Sequence, residues 1–345
     1  MADIADLSFA DLFAGVGGMR LGFEQACAEA GVGSRCVYAC DINKNAVKTY
    51  QSHFHDDFEV LSDIKEVKDI ASLPDFDILL GGFPCQSFSL AGHKKGFLDE
   101  TRGTLFFSLA EFIKVKRPRA FLLENVKHLV NHNKRRTFST IIGALTYDLG
   151  YTVYHQVLNS SGFGVPQNRE RIYIVGFSRD GGGFSFPKPV PTARTIGDVL
   201  EPGSVSPSHY LSQQYLDTLK RHRARHEKMG HGFGYEVKSP NDIANTILCG
   251  GMGKERNLVV DMKLSAEELA RGRKTKANSE FVRAMTPLEW ERLQGFPDNW
   301  TATVSTGSRM DQMGNAVTVP VVKAISANIL KELLNPVSVT DPLFS

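Results

Sequence analysis

Apolar and polar positions alternate in two periods along the first 180 residues. Short apolar runs, "LSFADLFAG", "CVYACDIN", "FDILLGGFP", "AFLLENV" and "RIYIVGF", have the length and the turn-residue borders of buried strands. Between them, "GMRLGFEQACAEAG", "KNAVKTYQSHF", "LFFSLAEFIKVKRP" and "FSTIIGALTYDLG" repeat apolar residues at helical spacing, the first ending at Gly31. Strand–helix alternation predicts an α/β fold, a doubly wound, mostly parallel sheet with helices on both faces. From Phe184 the rhythm fails. Pro187, Pro189, Pro191, Pro202 and Pro207 interrupt it and glycine becomes frequent, until a helical stretch, "VPVVKAISANILKELL", starts at Val319. The expected organisation is a main domain over 1–185, a smaller irregular lobe over 186–281, and a hinge and C-terminal return to the main domain over 282–345.

The strand exits carry the candidate chemistry, because a doubly wound sheet binds its ligand outside the carboxyl ends of its strands. Gly15, Gly17 and Gly18 lie between the first strand and the first helix. Glycines there let backbone amides approach a ligand closely. The spacing is neither GxGxxG nor a P-loop. Asp41 ends the second strand, the place of a ribose-binding acid. Asp63, in "SDI" at the end of a further expected strand, is positioned to accept from an adenine amine, with Ile42 and Ile64 as apolar faces for the base. Together these predict an adenosine-containing cofactor without saying which. Cys85 follows Pro84 at the mouth of "FDILLGGFP", a place for chemistry more than for packing. Glu124 and Asn125 end another strand, where a carboxyl group can hydrogen-bond a substrate ring nitrogen. Arg169 and Arg171, two apart before a strand, share a face and are expected to converge on one ligand.

Composition narrows the reading. The net charge of +2 over 345 residues announces no nucleic-acid partner, yet residues 186–281 hold 15 Lys and Arg against 11 Asp and Glu. "LKRHRARHEKMGHGFGYE" concentrates that excess. Five cysteines form no CxxC pair and ten histidines form no HExxH, so no metal is expected. No apolar run reaches the roughly 20 residues of a membrane span, and "MADIADLSFADLF" lacks a basic leader. The expected compartment is the cytoplasm, with no membrane partner.

The ordered motifs "DLFAGVGGMRLGF", "GGFPCQSFS", "ENV", "QNRERIYIVGF", "RAMTPLEWERLQGFPD" and "QMGNAVTVPVV" resemble those of the DNA (cytosine-5)-methyltransferase family. The resemblance implies a Rossmann-like S-adenosylmethionine-dependent fold with an irregular target-recognition domain. It implies S-adenosylmethionine as cofactor, held by Phe13, Ala14, Gly15, Gly17, Gly18, Asp41, Ile42, Asp63, Ile64, Pro84, Leu105, Asn315 and Val317. It makes Cys85 the nucleophile toward carbon 6 of a flipped cytosine, puts Glu124 at ring nitrogen 3 and Arg171 at the base carbonyl, and has Arg169 order the pocket. The sequence departs from many relatives at Asp41-Ile42, where glutamate and a large aromatic are common. "SFSLAGHKKGFLDETRG" is expected to close over the extruded base, with Ser89, Lys94, Lys95 and Arg102 on double-stranded DNA. "GHGFGYEVKSPNDIANTILCGGMGKERNLVVD" resembles the recognition region of HpaII-type enzymes, which modify CCGG. It supplies Thr246, Gly250, Gly251, Lys254 and Arg256 as expected DNA contacts. A monomer suffices, and a restriction endonuclease acting on the same site is an expected companion. Two rivals share part of the pattern. A tRNA cytosine methyltransferase would carry a CFT motif, absent here. A nicotinamide-dependent dehydrogenase would not explain Pro84-Cys85 together with Glu124 and the arginines.

Overall fold

The computed structural model describes residues 6–84, 105–178, 183–191, 193–230, 234–250, 253–272 and 275–334. The chain divides into two compact units: Met1–Asn159, Glu170–Pro189 and Val319–Ser345 form the first, Ser160–Arg169 and Val190–Thr318 the second. Among the described residues no helix is long and apolar enough to cross a membrane.

The first unit runs β1 (Leu7–Leu12), α1 (Gly18–Ala30), β2 (Ser34–Cys40), α2 (Lys44–His53), β3 (Ile78–Gly82), α3 (Leu105–Lys116), β4 (Ala120–Val126), α4 (Arg136–Gly143), β5 (Thr152–Asn159), β6 (Glu170–Phe177) and α5 (Val319–Leu334). Its strands make one six-stranded sheet in the order β2-β1-β3-β4-β6-β5. The first four are parallel, as strand–helix alternation requires. The sheet is mostly parallel as expected: of the last two strands only β6 reverses, running antiparallel to both β4 and β5. The hydrophobic pattern did not announce β5, because "TVYHQVLN" is only half-buried and mixes polar residues into an edge strand. One face of the sheet packs Leu12, Leu79, Phe121 and Leu123 against Leu109, Phe112 and Ile113 of α3 and Ile141 of α4. Phe9 of β1 meets Phe23 of α1 edge-on, with ring centroids 5.0 Å apart.

α1 and α5 approach closely at Gly22. A Cβ there would lie 2.8 Å from Val322 Cβ and 2.9 Å from the Val319 carbonyl oxygen. α1 stops at Gly31, which takes φ 68° and donates its amide to Ala28. The side chain of Asn43 accepts from the amides of Asn45 and Ala46, which starts α2.

In the second unit, Val237–Lys238, Leu258–Val260 and Val282–Ala284 form a three-stranded sheet, and Gln167–Asn168 pairs with Ala244–Asn245. Residues 282–318 cluster with this unit, and the first unit resumes at Val319. Buried Arg283 is the physical reason. Its guanidinium donates to Asp261 Oδ2 at 2.8 Å and to both carboxylate oxygens of buried Glu289 at 2.7 and 2.8 Å. A buried guanidinium is tolerated only when its donors are matched in this way. The lobe and the helix Pro287–Gln294 are thereby locked together.

Gly22→Ala is expected to destabilise the protein by about 1–3 kcal/mol, because a carbonyl and a β-branched side chain block the new methyl group. Urea unfolding reads this as a lowered midpoint at unchanged slope. An unaltered midpoint would show that α1 and α5 separate without cost.

Candidate active site

The exit of β1 is a strained turn. Phe13, Gly15 and Gly17 take φ of 57°, 55° and 84°, so two of the three left-handed positions are relieved by glycine. At Gly17 a Cβ would also meet Phe54 Cε2 at 2.3 Å, whereas at Gly15 it would meet only the Phe13 carbonyl oxygen, at 3.9 Å. The Ala14 amide donates to the Cys40 carbonyl at 3.0 Å, tying the turn to the exit of β2. Gly18 begins α1.

Asp41 organises this turn. Its Oδ2 accepts from the Gly15 amide at 2.8 Å and its Oδ1 from the Asn43 amide at 2.7 Å. Burial pushes its pKa up, and the amides of Asn43, Gly15 and Ile42 pull it back. Each oxygen keeps a further lone pair for a ligand hydroxyl. Ile42 beside it is 68 % exposed, an uncovered apolar surface. Asp63 does not end a strand. It caps the 3-10 turn Ile64–Glu66 and accepts from the Lys65 amide at 2.9 Å. An isolated bridge between Asp41 and Leu61 keeps the two acidic segments adjacent. Ile64 is 5 % exposed and packs in the main core. Leu105 is half-buried at the start of α3. An acid with free lone pairs, an open glycine and an exposed aliphatic side chain fit the ribose and base of an adenosine group.

One strand over, β3 delivers Phe83 and exposed Pro84. Cys85, Ser89, Lys94, Lys95, Arg102 and Gly251 lie outside the described residues. The segment that leads to Cys85 is fixed by Asn125, whose buried side chain donates to the Phe83 carbonyl at 2.7 Å. Glu124 sits opposite Gly82 on β3. Antiparallel pairing sets Val126 opposite Arg171 and Glu124 opposite Tyr173, which makes Glu124 and Arg171 diagonal neighbours. Arg171 Nε lies 3.1 Å from Glu124 Oε1, with both side chains nearly buried. The carboxyl group is held at the exit of its strand, with Gly82 leaving space beside it: a Cβ there would stand 3.8 Å from Glu124 Oε2.

Arg169 does not join this pair. It belongs to the second unit, where its guanidinium donates to the carbonyls of Ile247, Gly314 and Ala316 at 3.0, 3.2 and 2.8 Å. The expected convergence of the two arginines on one ligand is therefore corrected, since backbone oxygens occupy Arg169. Asn315 and Val317 belong to the same unit; Asn315 is exposed and its Oδ1 accepts from Cys249 Sγ at 3.0 Å. A Cβ on Gly314 would lie 2.3 Å from the Cys249 nitrogen, so glycine permits this approach. Thr246 donates to the Asn168 carbonyl at 2.6 Å. Gly250, Lys254 and Arg256 are exposed, the last two on the 3-10 turn Lys254–Asn257. Two glutamines escaped the sequence reading. Gln167 donates to the Leu293 carbonyl and Gln294 to the Met313 and Ala316 carbonyls. Gln294 sits in the charged stretch "EWERLQGF" and Gln167 in "VPQNRER", so neither stands out in an apolar pattern.

The C-5 cytosine-specific DNA methylase family model matches residues 7–331. The type II methyltransferase M.HpaII of Haemophilus parainfluenzae is 47 % identical over 332 residues, covering 95 % of this chain and 90 % of that protein. M.NlaX of Neisseria lactamica is 43 % identical over 329 residues, covering 95 % and 97 %. Among solved structures, the Entamoeba histolytica methyltransferase EhMeth superposes with a TM-score of 0.70 at 15 % identity, covering 95 % of this chain and 99 % of that one. S. pombe Dnmt2 methyltransferase does so at 0.68 and 19 %, covering 96 % and 100 %. At such identities these two establish the fold.

Beneath the glycine turn lies Asp11, fully buried, with both carboxylate oxygens lacking a hydrogen-bond partner among the described residues. Arg20 of α1 is close in charge terms but engages Glu24 at 2.7 Å, Tyr50 at 2.9 Å and Asp56, with its guanidinium 4.0 Å over the Phe54 ring. Burial raises the Asp11 pKa well above the carboxylate range; Arg20 opposes this, and Asp41, Glu24 and Asp56 reinforce it. Above the ordinary aspartate range the unfolded chain loses this proton while the folded one keeps it. Stability from this group thus falls as pH rises from about 4 toward the folded value. Asp11→Asn removes the effect. Denaturant midpoints at about pH 5 and about pH 8 are expected to favour the variant over the parent more at the higher pH. A difference independent of pH would place a charged Asp11 in the folded protein.

Proposed function

The chain belongs to the C-5 cytosine-specific DNA methylase family and is a DNA (cytosine-5)-methyltransferase; from that premise we propose that it methylates the inner cytosine of CCGG in double-stranded DNA, with S-adenosylmethionine as donor. The Glu124–Arg171 pair at the exit of β4, adjacent to the strand that leads into Pro84-Cys85, carries this reading.

Asp41, the Gly15 turn, Ile42 and Asp63 hold the adenosine part of the cofactor. When bound, S-adenosylmethionine supplies a methyl sulfonium electrophile. Cytosine carbon 5 is too electron-poor to meet it unaided. The Cys85 thiolate adds to carbon 6, forming a carbon–sulfur bond and pushing the ring electrons toward nitrogen 3 and carbon 5. Glu124, as the acid, holds nitrogen 3 and the exocyclic amine, stabilising the charge that addition develops. Arg171 steadies Glu124 and reaches the base carbonyl oxygen. Once carbon 5 carries the methyl group, loss of its proton to a base, with cleavage of the carbon–sulfur bond, returns the thiolate and leaves 5-methylcytosine. The base must leave the duplex to reach these groups, at a cost of a few kcal/mol.

CCGG rests on the glycine-rich stretch around Thr246–Arg256. Exposed Lys254 and Arg256 suit the paired acceptors of guanine in the major groove. The 47 % identity with M.HpaII supports the same assignment. The enzyme acts as a monomer in the cytoplasm, modifying the two strands of a palindrome in separate encounters, alongside an endonuclease of the same specificity.

Cys85→Ser is expected to bind cofactor and DNA yet lose methyl transfer, and to form no denaturation-resistant adduct with 5-fluorocytosine DNA, which the parent traps. Near-parental turnover of Cys85→Ser would overturn the thiolate mechanism. For specificity, plasmid from expressing cells is expected to resist a methylation-sensitive nuclease that cuts CCGG, with bisulfite reads marking the inner cytosine. A wrong base pair costs about 1–3 kcal/mol, so other sites are modified slowly. Modification confined to GGCC or GCGC would refute CCGG and leave the chemistry standing.

A further inference from the structure

We propose that the turn Lys134–Arg136, which follows β4, is a phosphate-gripping loop that contacts the DNA backbone at the rim bearing Glu124. This rests on the reading of the chain as a DNA enzyme and adds a binding surface to it.

The placement comes from topology. β1, β2, β3 and β4 are parallel, so the carboxyl end of β4 lies at the rim that carries the Gly15 turn, Asp41 and Pro84. β4 ends at Val126, the 3-10 turn Lys127–Asn131 follows, and α4 starts at Arg136. Lys134, Arg135 and Arg136 therefore stand only a short connection beyond Glu124.

The charge is concentrated and uncompensated. No acidic residue occurs between Val126 and Tyr147. Lys134, Arg135 and Arg136 are all exposed, and their side chains have no ion pair or hydrogen bond among the described residues. Neighbouring cations are engaged: Lys127 by Glu170 at 2.8 Å and Arg171 by Glu124 at 3.1 Å. At the opposite rim Lys116 and Arg119 pair with Asp75 and Asp77.

The turn is also rigidly shaped. Asn133, Lys134 and Arg135 take φ of 48°, 54° and 70°. Three successive non-glycine residues in the left-handed region are conformationally costly. They are held by buried Leu129 on one side and buried Thr137 and Phe138 on the other, with His132 Nδ1 2.7 Å from Thr137 Oγ1. A fixed turn presents its cations without ordering them at the moment of binding. Their partner is the phosphodiester backbone, which such side chains grip in any sequence. The loop supplies affinity and register, and target choice lies elsewhere.

The test is equilibrium binding of a CCGG duplex to the full chain from about 50 to about 200 mM salt. For Lys134→Gln/Arg135→Gln/Arg136→Gln, the slope of log affinity against log salt is expected to become shallower by about 2–3, at about 0.9 per phosphate released. Affinity at the lowest salt is expected to fall at least about tenfold, equally for CCGG and unrelated duplexes. Cofactor affinity and turnover at saturating DNA stay at the parental level. Arg135→Gly, which removes one charge while favouring the left-handed turn, is expected to lower the slope by about 1. Lys114→Gln, at the opposite rim, leaves it unchanged. Parental slope and affinity in both loop variants, with CCGG methylation intact, would overturn the loop assignment and leave the enzyme reading standing. A parent protein that neither binds nor methylates duplex DNA would overturn the reading on which it rests.

Discussion

The antiparallel pairing of β6 on β4 is the constraint on which the candidate site depends. A carboxyl group at the exit of a buried strand is costly unless something charged or polar meets it. Register supplies that partner: with Val126 opposite Arg171, the arginine falls diagonally across from Glu124. Were β6 parallel, its first residues would stand at the other rim. A slip of one residue would turn Arg171 to the other face. The alternation of β4 gives its last residues separate tasks. Glu124 meets Arg171, while Asn125 ties down the Phe83 carbonyl, two residues before Cys85. The Phe83 carbonyl and the Glu124 carboxyl group are thus set by one strand.

Asp41 works by a different principle. Its carboxylate crosslinks the exits of β1 and β2 through amides, so the same oxygens that suit a ribose also shape the glycine turn. The shorter side chain, where relatives often have glutamate, does not leave a gap, because the Gly15 backbone comes to it at 2.8 Å. Loss of Asp41 therefore leaves two amides without their acceptor.

Much of this was legible in the chain. Apart from edge strand β5, the strands and helices of the first unit and the glycine turn follow from period and turn chemistry, which are local properties. "AFLLENV" and "VPVVKAISANILKELL" match β4 and α5 residue for residue. The mostly parallel sheet was legible, but which strand reverses was not, because a buried strand has the same apolar pattern whichever way it runs. The burial of Ile64 was hidden for a related reason. An isoleucine beside an acid gives no sign of which way it points until the 3-10 turn rolls it into the core. Asp11 was hidden differently, since an aspartate in an apolar run looks like a strand end until its burial without a partner is seen.

The arginine pair marks the limit of reading by spacing. Two residues apart on an extended segment, Arg169 and Arg171 satisfy every local rule for sharing a ligand. The chain leaves the second unit for the first between them, at Arg169 and Glu170, and that passage separates their partners. Arg169 gathers the carbonyls of Ile247, Gly314 and Ala316, segments far apart in the chain. This task favours a guanidinium over an ammonium, because its planar fork aims several donors at fixed acceptors at once. Gly314 makes the gathering sterically possible, since any side chain there would collide with the backbone at Leu248 and Cys249. The second unit thus holds this stretch through backbone acceptors and buried donors, which leaves the exposed side chains of Lys254 and Arg256 without a structural partner among the described residues. Side chains on such a frame can vary without disturbing what positions them.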